Sequence, residues 1–512
     1  MAGMIFNNIP GNVRVPFFYA EFQSGGTPYS QNARLLLIGQ KLASGSATAN
    51  QPVLVRDGSA AELFGLDSML HRMCVTARNN APIQEIWALP LADDGAGTAA
   101  TGKISVGAPS LTYSQPLSIR IAGRRIRIPA LTSDARADIA ANLIAAINAE
   151  RGLPVTAAVN GVNAYEVDLT ARHKGTLGNA VLIENGIIAE DGPLGHTGSQ
   201  CVLTITAMAN GAGDPEIDDA LANLGDEEFD WIAMPYADDT NIGHMSDLMN
   251  DVSGRWSWAK QIYGHCITVS TETVGNLSTL GNGLNDQHLT VFPCRKFLST
   301  PEVVAAALGA IAAQHLQAPG ASAELSRPLQ TLVLNGIEGP RLISDRLTLS
   351  DRQTLYYDGI SGYHVRRDGQ VAIDRLVTTY QSNAWGDPDW TYLDIETMAQ
   401  SMYGIRYLRT KVTSTHGRKA LADTNPSGNP GIVTADDVKI TLIHGYNDLV
   451  ALGVFEGPEL FARDVVVERD LTDANRLNSS LPLDHVNQLR IMAAAAVNYM
   501  QRREPRDALA AA

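Results

Sequence analysis

The hexapeptide Arg34-Leu-Leu-Leu-Ile-Gly39 indicates the fold class, because it is apolar on both faces, as a strand inside a parallel sheet is. A capping-box pattern follows at Ser59–Glu62. The next segment has a helical stripe made of Met69, Leu70, Met73 and Ala77. Gln84–Pro90 then has the composition of a second buried strand. These segments together predict a β-α-β unit and therefore an α/β core.

The pattern changes after this unit. Small residues fill Asp93–Gly102, and the segment beyond them mostly alternates polar and apolar residues with a period of two. A second small-residue linker, Ala209–Gly213, precedes the return of strand and helix alternation. We therefore predict an α/β core interrupted by a β-rich domain. The predicted ranges are 29–102 and 208–463 for the discontinuous core and 103–207 for the inserted domain.

Further elements of the core are predicted from periodicity and capping residues. We expect a helix over about 242–260, one that starts at Pro301 with Thr300 as its cap, and one around 391–404. Another helix is predicted over 435–451, with Thr434 as its cap.

Both ends of the chain hold apolar, strand-type segments outside the α/β alternation. The N-terminal arm, residues 1–28, contains the extended aromatic stretch Ile9–Phe22. The C-terminal arm, residues 464–512, begins with the strand pattern Asp464–Arg469. An amphipathic helix is expected to follow it, with a face made of Val486, Leu489, Ala493, Val497 and Met500. The pattern leaves open whether these arms complete the sheet of their own chain or add strands to neighbouring copies.

Charge and composition exclude several classes of protein. The 512 residues include 39 Lys and Arg against 54 Asp and Glu, a formal net charge of −15. So acidic a chain gains no counterion-release attraction from DNA or RNA, and a general nucleic-acid coat is excluded. Four scattered cysteines cannot form a disulfide framework or a zinc knuckle, and they suit a reducing compartment.

Three motifs come near to catalytic or binding signatures. Gly97–Lys103 fits the start of a phosphate-binding loop, but Ile104 stands where a hydroxyl must bind magnesium. Gly359–Gly362 resembles a nucleophile elbow around Ser361 but lacks the second glycine in register. The carboxylates of Asp387, Asp389 and Asp394 lack the spacing of a calcium loop. We therefore predict no catalytic residue, no cofactor and no metal site, and a protein that is not an enzyme.

Several separated blocks resemble the contractile tail sheath proteins of bacteriophages, specifically the Mu-like group. They lie in the expected order over nearly the whole chain, and comprise Ile9–Phe22, Leu36–Gln40, Ala122–Ile128, Thr170–Gly175, Tyr380–Ser382, Trp390–Asp394 and Val467–Arg490. Ser479-Ser480 departs from the family pattern, in which apolar residues are expected.

The resemblance implies a structural subunit that polymerises as stacked hexameric rings around an inner tail tube. The sheath contracts to drive the tube through the host envelope. Arms of neighbouring subunits would add strands to a shared sheet, and the inserted domain would face outward. The strand residues expected in these arms are Val13, Val15, Phe17, Tyr19, Val465, Val466 and Val467.

The implied partners are further copies of the chain, the inner tube protein, and the baseplate and tail terminator proteins. Direct contact with nucleic acid and insertion into a membrane are not expected. The implied location is the tail sheath of a virion, after assembly in the host bacterial cytoplasm. Two other classes stay open: a baseplate or receptor-binding tail component, and an α/β enzyme with a ligand at the carboxyl ends of its strands.

Overall fold

A computed structural model describes residues 33–187, 194–196, 199–317, 324–496 and 498. Its strands are β1 Arg34–Gln40, β2 Val53–Leu54, β3 Glu85–Leu91, β4 Ala99–Val106, β5 Gln115–Ile121, β6 Arg124–Ala130, β7 Val155–Val159, β8 Glu166–Lys174, β9 Ile183–Asn185, β10 Leu203–Ala209, β11 Trp231–Met234, β12 His265–Ser270, β13 Leu289–Pro293, β14 Val333–Glu338, β15 Gly362–Val365, β16 Gln370–Arg375, β17 Ala420–Leu421, β18 Ile432–Val433, β19 Val466–Arg469 and β20 Leu477–Ser480. Its α-helices are α1 Ala60–Phe64, α2 Met69–Asn80, α3 Arg136–Ala149, α4 Asp218–Ala222, α5 Asp239–Met249, α6 Val274–Gly283, α7 Pro301–His315, α8 Leu349–Tyr357, α9 Ile395–His416, α10 Ala435–Ala451 and α11 Pro458–Asp464.

The central sheet is built around β1. Its strand order is β13-β12-β11-β1-β3-β2. Neighbouring strands are parallel, except that β2 pairs antiparallel with β3 at one edge. Every residue of β1 after Arg34 is buried, which explains why this strand has no polar alternation. The prediction of a mixed α/β fold is confirmed.

Helix α7 packs against this sheet over β1, β11 and β12. Most of its residues are buried, so it is apolar on all sides and not amphipathic. Thr300 precedes it as predicted, but its hydroxyl donates to the Glu302 carboxylate at 2.6 Å and makes no bond to the helix backbone. Gly309 allows the close approach of helix to sheet, because a Cβ there would lie 2.8 Å from the Cβ of Ala233.

Two predicted helices differ from the structure for local reasons. The hydroxyl of Ser59 bonds to the Arg56 carbonyl, and α1 is only five residues long. The longer α2 is capped instead by Ser68, whose side chain accepts from the backbone N–H of His71. The helix predicted over 242–260 ends at Met249, because the Asn250 side chain accepts three backbone N–H groups that follow it and closes a turn.

Two other predicted helices are present. Helix α10 has the predicted bounds, and the Thr434 side chain caps it by accepting from the N–H of Asp437. Helix α9 starts near the predicted position but extends to His416, which makes it 22 residues long.

The segment between β4 and β10 has its own buried cluster, formed by residues from Ala100 to Met208. Two antiparallel sheets, β10-β4-β8-β7 and β6-β5-β9, enclose it together with α3. The chain enters and leaves this segment side by side, since Thr98 and Ala212 exchange backbone hydrogen bonds of 2.8 and 3.1 Å.

Several contacts join this segment to the core around the central sheet, among them that of Gln40 in β1, whose amide donates to the Lys174 carbonyl at 2.9 Å. His173 accepts from the N–H of Met69 at 3.0 Å, and its other ring nitrogen bonds to Asp93 at 2.9 Å. The Asp67 carboxylate accepts from the N–H of Gly152 at 2.8 Å. Arg341 pairs with Glu184 at 3.3 Å. Over the ranges described, no helix is both long enough and apolar enough to cross a membrane.

Candidate functional site

The structure places the predicted arm residues unevenly. Val13, Val15, Phe17 and Tyr19 lie outside the described residues. Val465, Val466 and Val467 are described, and they follow directly after α11. Val465 is fully buried, and the strand begins one residue later, at Val466.

The C-terminal hairpin consists of β19 and β20, which pair antiparallel with Val467 opposite Ser479. Asp470 holds the turn between them. One of its carboxylate oxygens accepts from the N–H groups of Thr472 and Asp473 at 2.8 and 2.9 Å, and the other accepts from the Asn478 amide at 2.8 Å. These bonds, led by one from the Thr472 hydroxyl, hold the pKa of Asp470 well below its usual range. The turn is therefore fixed by a carboxylate that stays ionised.

The hairpin leaves backbone groups on both of its outer edges. Hydrogen-bonded and non-hydrogen-bonded pairs alternate along an antiparallel ladder. The Asp470 N–H bonds to the Arg476 carbonyl, so these two residues form a hydrogen-bonded pair. Along the ladder from there, the pairs that include Glu468 and Val466 are also hydrogen-bonded pairs. The outward backbone groups therefore belong to Val467, Arg469, Leu477 and Ser479. Within the described part of the chain, β19 and β20 pair only with each other.

A groove of about 600 Å³ lies between this hairpin, α9 and α10. Its wall includes buried apolar side chains of both helices, among them Leu408, Val438 and Leu442. The hairpin contributes Val467, Leu477 and Ser479. Ser479 therefore places a hydroxyl on the groove at a position where the family pattern predicts an apolar side chain. An extended segment with alternating apolar side chains would fit such a groove.

The first described residue, Ala33, lies against the same helix that forms part of this groove. Ala33 lines a small cavity with Met402, Tyr403 and Arg406 of α9. Ile405, on the same helix, already lines the groove.

The C-terminal strap, residues 481–496, forms no helix, and its one regular feature is a β-bridge at His485. The amphipathic helix predicted to carry Val486, Leu489 and Ala493 is wrong over this range. The reason is that contacts with the core are spread along the segment: His485 forms a β-bridge with Phe455, and the Val486 carbonyl accepts from the Gln400 amide at 2.9 Å. An extended backbone can make these contacts in sequence, whereas a helix would turn some of them away.

His485 is part of this attachment. Its ring lies edge-on to Phe455, with centroids 5.2 Å apart, and its Nε2 is 3.0 Å from the Ser401 hydroxyl. Burial lowers the pKa of His485 to about 4, and the neighbouring Asp484 acts in the opposite direction. The strap is therefore held with this imidazole neutral at pH 7.

Arg490 holds the end of the attached part of the strap on the core. Its Nη2 lies 2.7 Å from Glu396 and 3.0 Å from Asp394, at the start of α9. Beyond it, Ile491 and Met492 are 82% and 84% exposed. Sequence reasoning missed Arg490, Glu396 and Gln400. The available signal was weak: one arginine inside an otherwise uncharged stretch from His485 to Ala496.

The motifs that resemble catalytic signatures have structural roles. Gly97–Lys103 continues into β4, with no helix after it to receive a phosphate. Ser361 is fully buried and accepts from the N–H of Val377. Asp389 accepts from Tyr380, while Asp394 binds Arg375 with both oxygens, so the carboxylates do not converge. Among the residues that the structure describes, no group of three or more potential ligands could hold a metal ion.

Comparison with known proteins identifies the class. A family model, the phage tail sheath protein central domain, matches residues 210–379. The Mu-like prophage FluMu tail sheath protein of Haemophilus influenzae is 33% identical over 499 residues, which cover 96% of this chain and 98% of that protein. The chain therefore belongs to the phage tail sheath proteins. Within this class, it is similar to a Mu-like prophage protein, and it is a structural component of a phage-type tail.

Solved structures of sheath proteins are also similar to the chain. The sheath tail protein of Desulfitobacterium hafniense has a TM-score of 0.48 at 11% identity, over 92% of this chain and 97% of its own. The sheath tail protein Lin1278 of Listeria innocua has a TM-score of 0.45 at 13% identity, over 90% of this chain and 93% of its own.

Proposed function

We propose that this chain polymerises as stacked hexameric rings around an inner tail tube, and that the sheath contracts to drive the tube through the host envelope. The observation that carries the proposal is the C-terminal hairpin, since its two strands pair only with each other over the described residues and present backbone groups on both edges. Open strand edges recruit further strands, and a structural subunit can use them to join copies.

The N-terminal arm, residues 1–28, supplies one added strand. Val13, Val15, Phe17 and Tyr19 alternate along it, which is the spacing at which side chains of a strand share one face. The groove under the hairpin is lined with apolar side chains and could receive that face. Ala33, where the described chain begins, packs against α9, the helix that also lines the groove.

The C-terminal arm, residues 464–512, contributes in two ways. Val466 and Val467 belong to the hairpin that receives strands, where they lie opposite Ser480 and Ser479, and the buried Val465 fixes the start of that hairpin on the core. The strap lies on the core from Leu481 to Arg490 and then ends in exposed apolar residues. Both arms thus take part in one shared sheet.

The rest of the chain divides into two functional parts in this proposal. The core, 29–102 and 208–463, faces the tube, while the domain at 103–207 faces outward. The separate buried cluster from Ala100 to Met208 supports this division. The partners are further copies, the inner tube protein, and the baseplate and tail terminator proteins. Assembly takes place in the host bacterial cytoplasm.

Contraction in this proposal is a movement of folded bodies between two packings, with no chemical step and no cofactor. The buried Ser361 and the strand that follows Gly97 support a structural role for these segments. The formal charge of −15 agrees with a subunit that stays apart from the nucleic acid inside the tail.

Deletion of residues 1–22 tests the proposal. The shortened chain should stay folded and soluble, because the central sheet begins at Arg34, and it should form no tubes in negative-stain micrographs. Deletion of residues 1–8 is the matched control, since it keeps Ile9–Phe22, and this chain should assemble like the full-length protein. Normal tubes after the longer deletion would rule out the arm. Closed single rings from the full-length chain would favour a baseplate component, and small single particles would leave an enzyme open.

A further inference from the structure

The burial of the strap changes directly after Arg490. From Leu481 to Arg490 the side chains mostly alternate between partly buried and exposed, as an extended segment that lies on a surface requires. From Ile491 to Ala496 every residue is exposed. The chain therefore leaves the folded body directly after Arg490.

Arg490 is held in a buried cluster of charges. Its side chain is 11% exposed, and the Glu396 side chain that it binds is fully buried. The second oxygen of Glu396 accepts from the N–H of Leu329 at 2.9 Å. Asp394, the other partner of Arg490, is bound through both oxygens by Arg375 at 2.8 Å. The cluster therefore contains two guanidinium groups and two carboxylates.

The equal number of positive and negative groups in this cluster makes the attachment of the strap depend on Arg490. If the strap lifts away, Glu396 loses the cation that it touches, whereas Arg375 stays on Asp394. Detachment therefore breaks an ion pair whose carboxylate is fully buried in the attached state, and loss of one partner of a buried pair is unfavourable. Burial raises the pKa of Glu396, and the nearby Arg490 charge acts against that effect. Detachment of Arg490 is thus opposed by more than the loss of a surface contact.

We propose that Arg490 is a positioning residue that fixes where the C-terminal arm leaves the body, so that the segment Ile491–Ala496 is held out for a second copy of this chain. The inference rests on the proposed sheath assembly and adds the point from which its C-terminal arm is exchanged. The run Ile491–Ala496 is entirely apolar, and its exposure in one copy leaves it uncovered. The hairpin on another copy has two open edges, so one edge can pair with this segment while the groove and the other edge receive the N-terminal arm.

A first experiment identifies the molecule that contacts the exposed segment Ile491–Ala496. The four native cysteines are buried, so a cysteine introduced by Met492→Cys can be labelled selectively with a thiol-reactive photocrosslinker in the full-length chain. Illumination of assembled protein should give a product of twice the chain mass. A product of single-chain mass, with an internal crosslink, would overturn the proposal, as would crosslinking only to an added tube or baseplate protein.

A second experiment tests the anchor with Arg490→Met in the full-length chain. Hydrogen exchange of residues 483–490 in the unassembled fraction should become at least tenfold faster, and the yield of tubes at fixed concentration should fall at least tenfold. Arg490→Lys, which keeps the cation, should restore at least part of both. Arg463→Met is the control, because Arg463 is 68% exposed and pairs with the adjacent Asp464; it should behave like the unmodified chain.

The outcomes distinguish a failure of the proposal for Arg490 from a failure of the proposed sheath function. Unchanged exchange in Arg490→Met would overturn the anchor, and so would faster exchange with a normal yield of tubes. If Arg490→Met fails to fold, Glu396→Gln tests the same contact, because the amide oxygen can still accept from Leu329 while the charge is removed. Absence of tubes from the unmodified chain would refute the proposed function, while the exchange measurement would still decide whether Arg490 holds the strap.

Discussion

Gly309 lies where α7 crosses the central sheet. A Cβ at this position would be 2.8 Å from the Cβ of Ala233 and 3.0 Å from Cδ1 of Leu35. We expect Gly309→Ala to destabilise the chain by about 1–3 kcal/mol, because overpacking of a rigid core outweighs the better helix propensity of alanine. Urea unfolding of the full-length chain measures this difference.

Gly243 is the matched control for this substitution. It lies inside α5 with open space around it, so an added methyl group meets nothing within 4 Å. Gly243→Ala should therefore stabilise the chain by roughly 0.5–1 kcal/mol through helix propensity alone. The same sign of change for both substitutions would show that the contact between α7 and the sheet is looser than the distances indicate.

His485 gives the strap a dependence on pH. Its pKa is lowered to about 4 in the folded chain by burial, against about 6.5 in an unfolded chain. Only the unfolded state gains this proton between these values, so the contribution of His485 is complete above pH 6.5 and is lost as the pH falls towards 4. Between pH 7 and pH 5 the unmodified chain should lose about 1–2 kcal/mol more stability than His485→Gln does.

Thermal or urea unfolding at the two pH values measures this slope. His444→Gln removes an exposed imidazole from α10 without touching the strap, and it serves as the control. Equal slopes for His485→Gln and the unmodified chain would mean that the imidazole is not buried as described.

At the scale of residues, the sequence predicts interactions that are local and misses those that are distant. The cap of α10 was predictable, because Thr434 and Asp437 are three residues apart and the pattern alone defines the bonds. The ion pair of Arg490 with Glu396 joins residues 94 positions apart. No spacing rule connects them, so this part of the candidate site needed the folded structure.

At the scale of elements, the outer edge of β20 is the feature to test. The N–H of Ser479 faces away from β19, so Ser479→Pro removes an outward donor and keeps the bonds inside the hairpin. The variant should fold with an unchanged unfolding midpoint and should form at least tenfold fewer tubes, because a proline blocks strand addition at an edge.

Ser479→Ala is the control for that experiment. It removes the hydroxyl but keeps the N–H, and it should assemble like the unmodified chain. If Ser479→Pro also assembles normally, the β20 edge does not receive an added strand.

Elements were predictable where their pattern was complete within the segment. Strand β1 is buried on both faces, and its uninterrupted apolar run shows this directly. The strap has a helical period in its apolar residues, yet it forms no helix, because the core offers partners spaced for a strand at Phe455 and Gln400. Tertiary contacts of the strap override the helical period of its apolar residues, and the local sequence pattern does not indicate these contacts.

At the scale of the whole molecule, the sequence predicts the α/β class but not the order of strands in the sheet. That order places β1 between β3 and β11, although more than 130 residues separate β3 from β11. The connection is possible because Thr98 and Ala212 pair where the chain leaves and returns. The roles of residues 1–28 and of the outward domain remain predictions for assembly experiments.

Helix α9 joins the two ends of the proposed exchange mechanically. It begins beside the carboxylates that hold Arg490, and its last turns line the groove under the hairpin. Its 22 residues span about 33 Å at 1.5 Å per residue. Tension applied to an outgoing arm would enter the helix at Asp394 and Glu396 and leave it at the groove that we propose as the binding site of a neighbour's arm. In a sheath of such subunits, stretching forces would pass along helices and strands, while the outer surfaces could slide past one another.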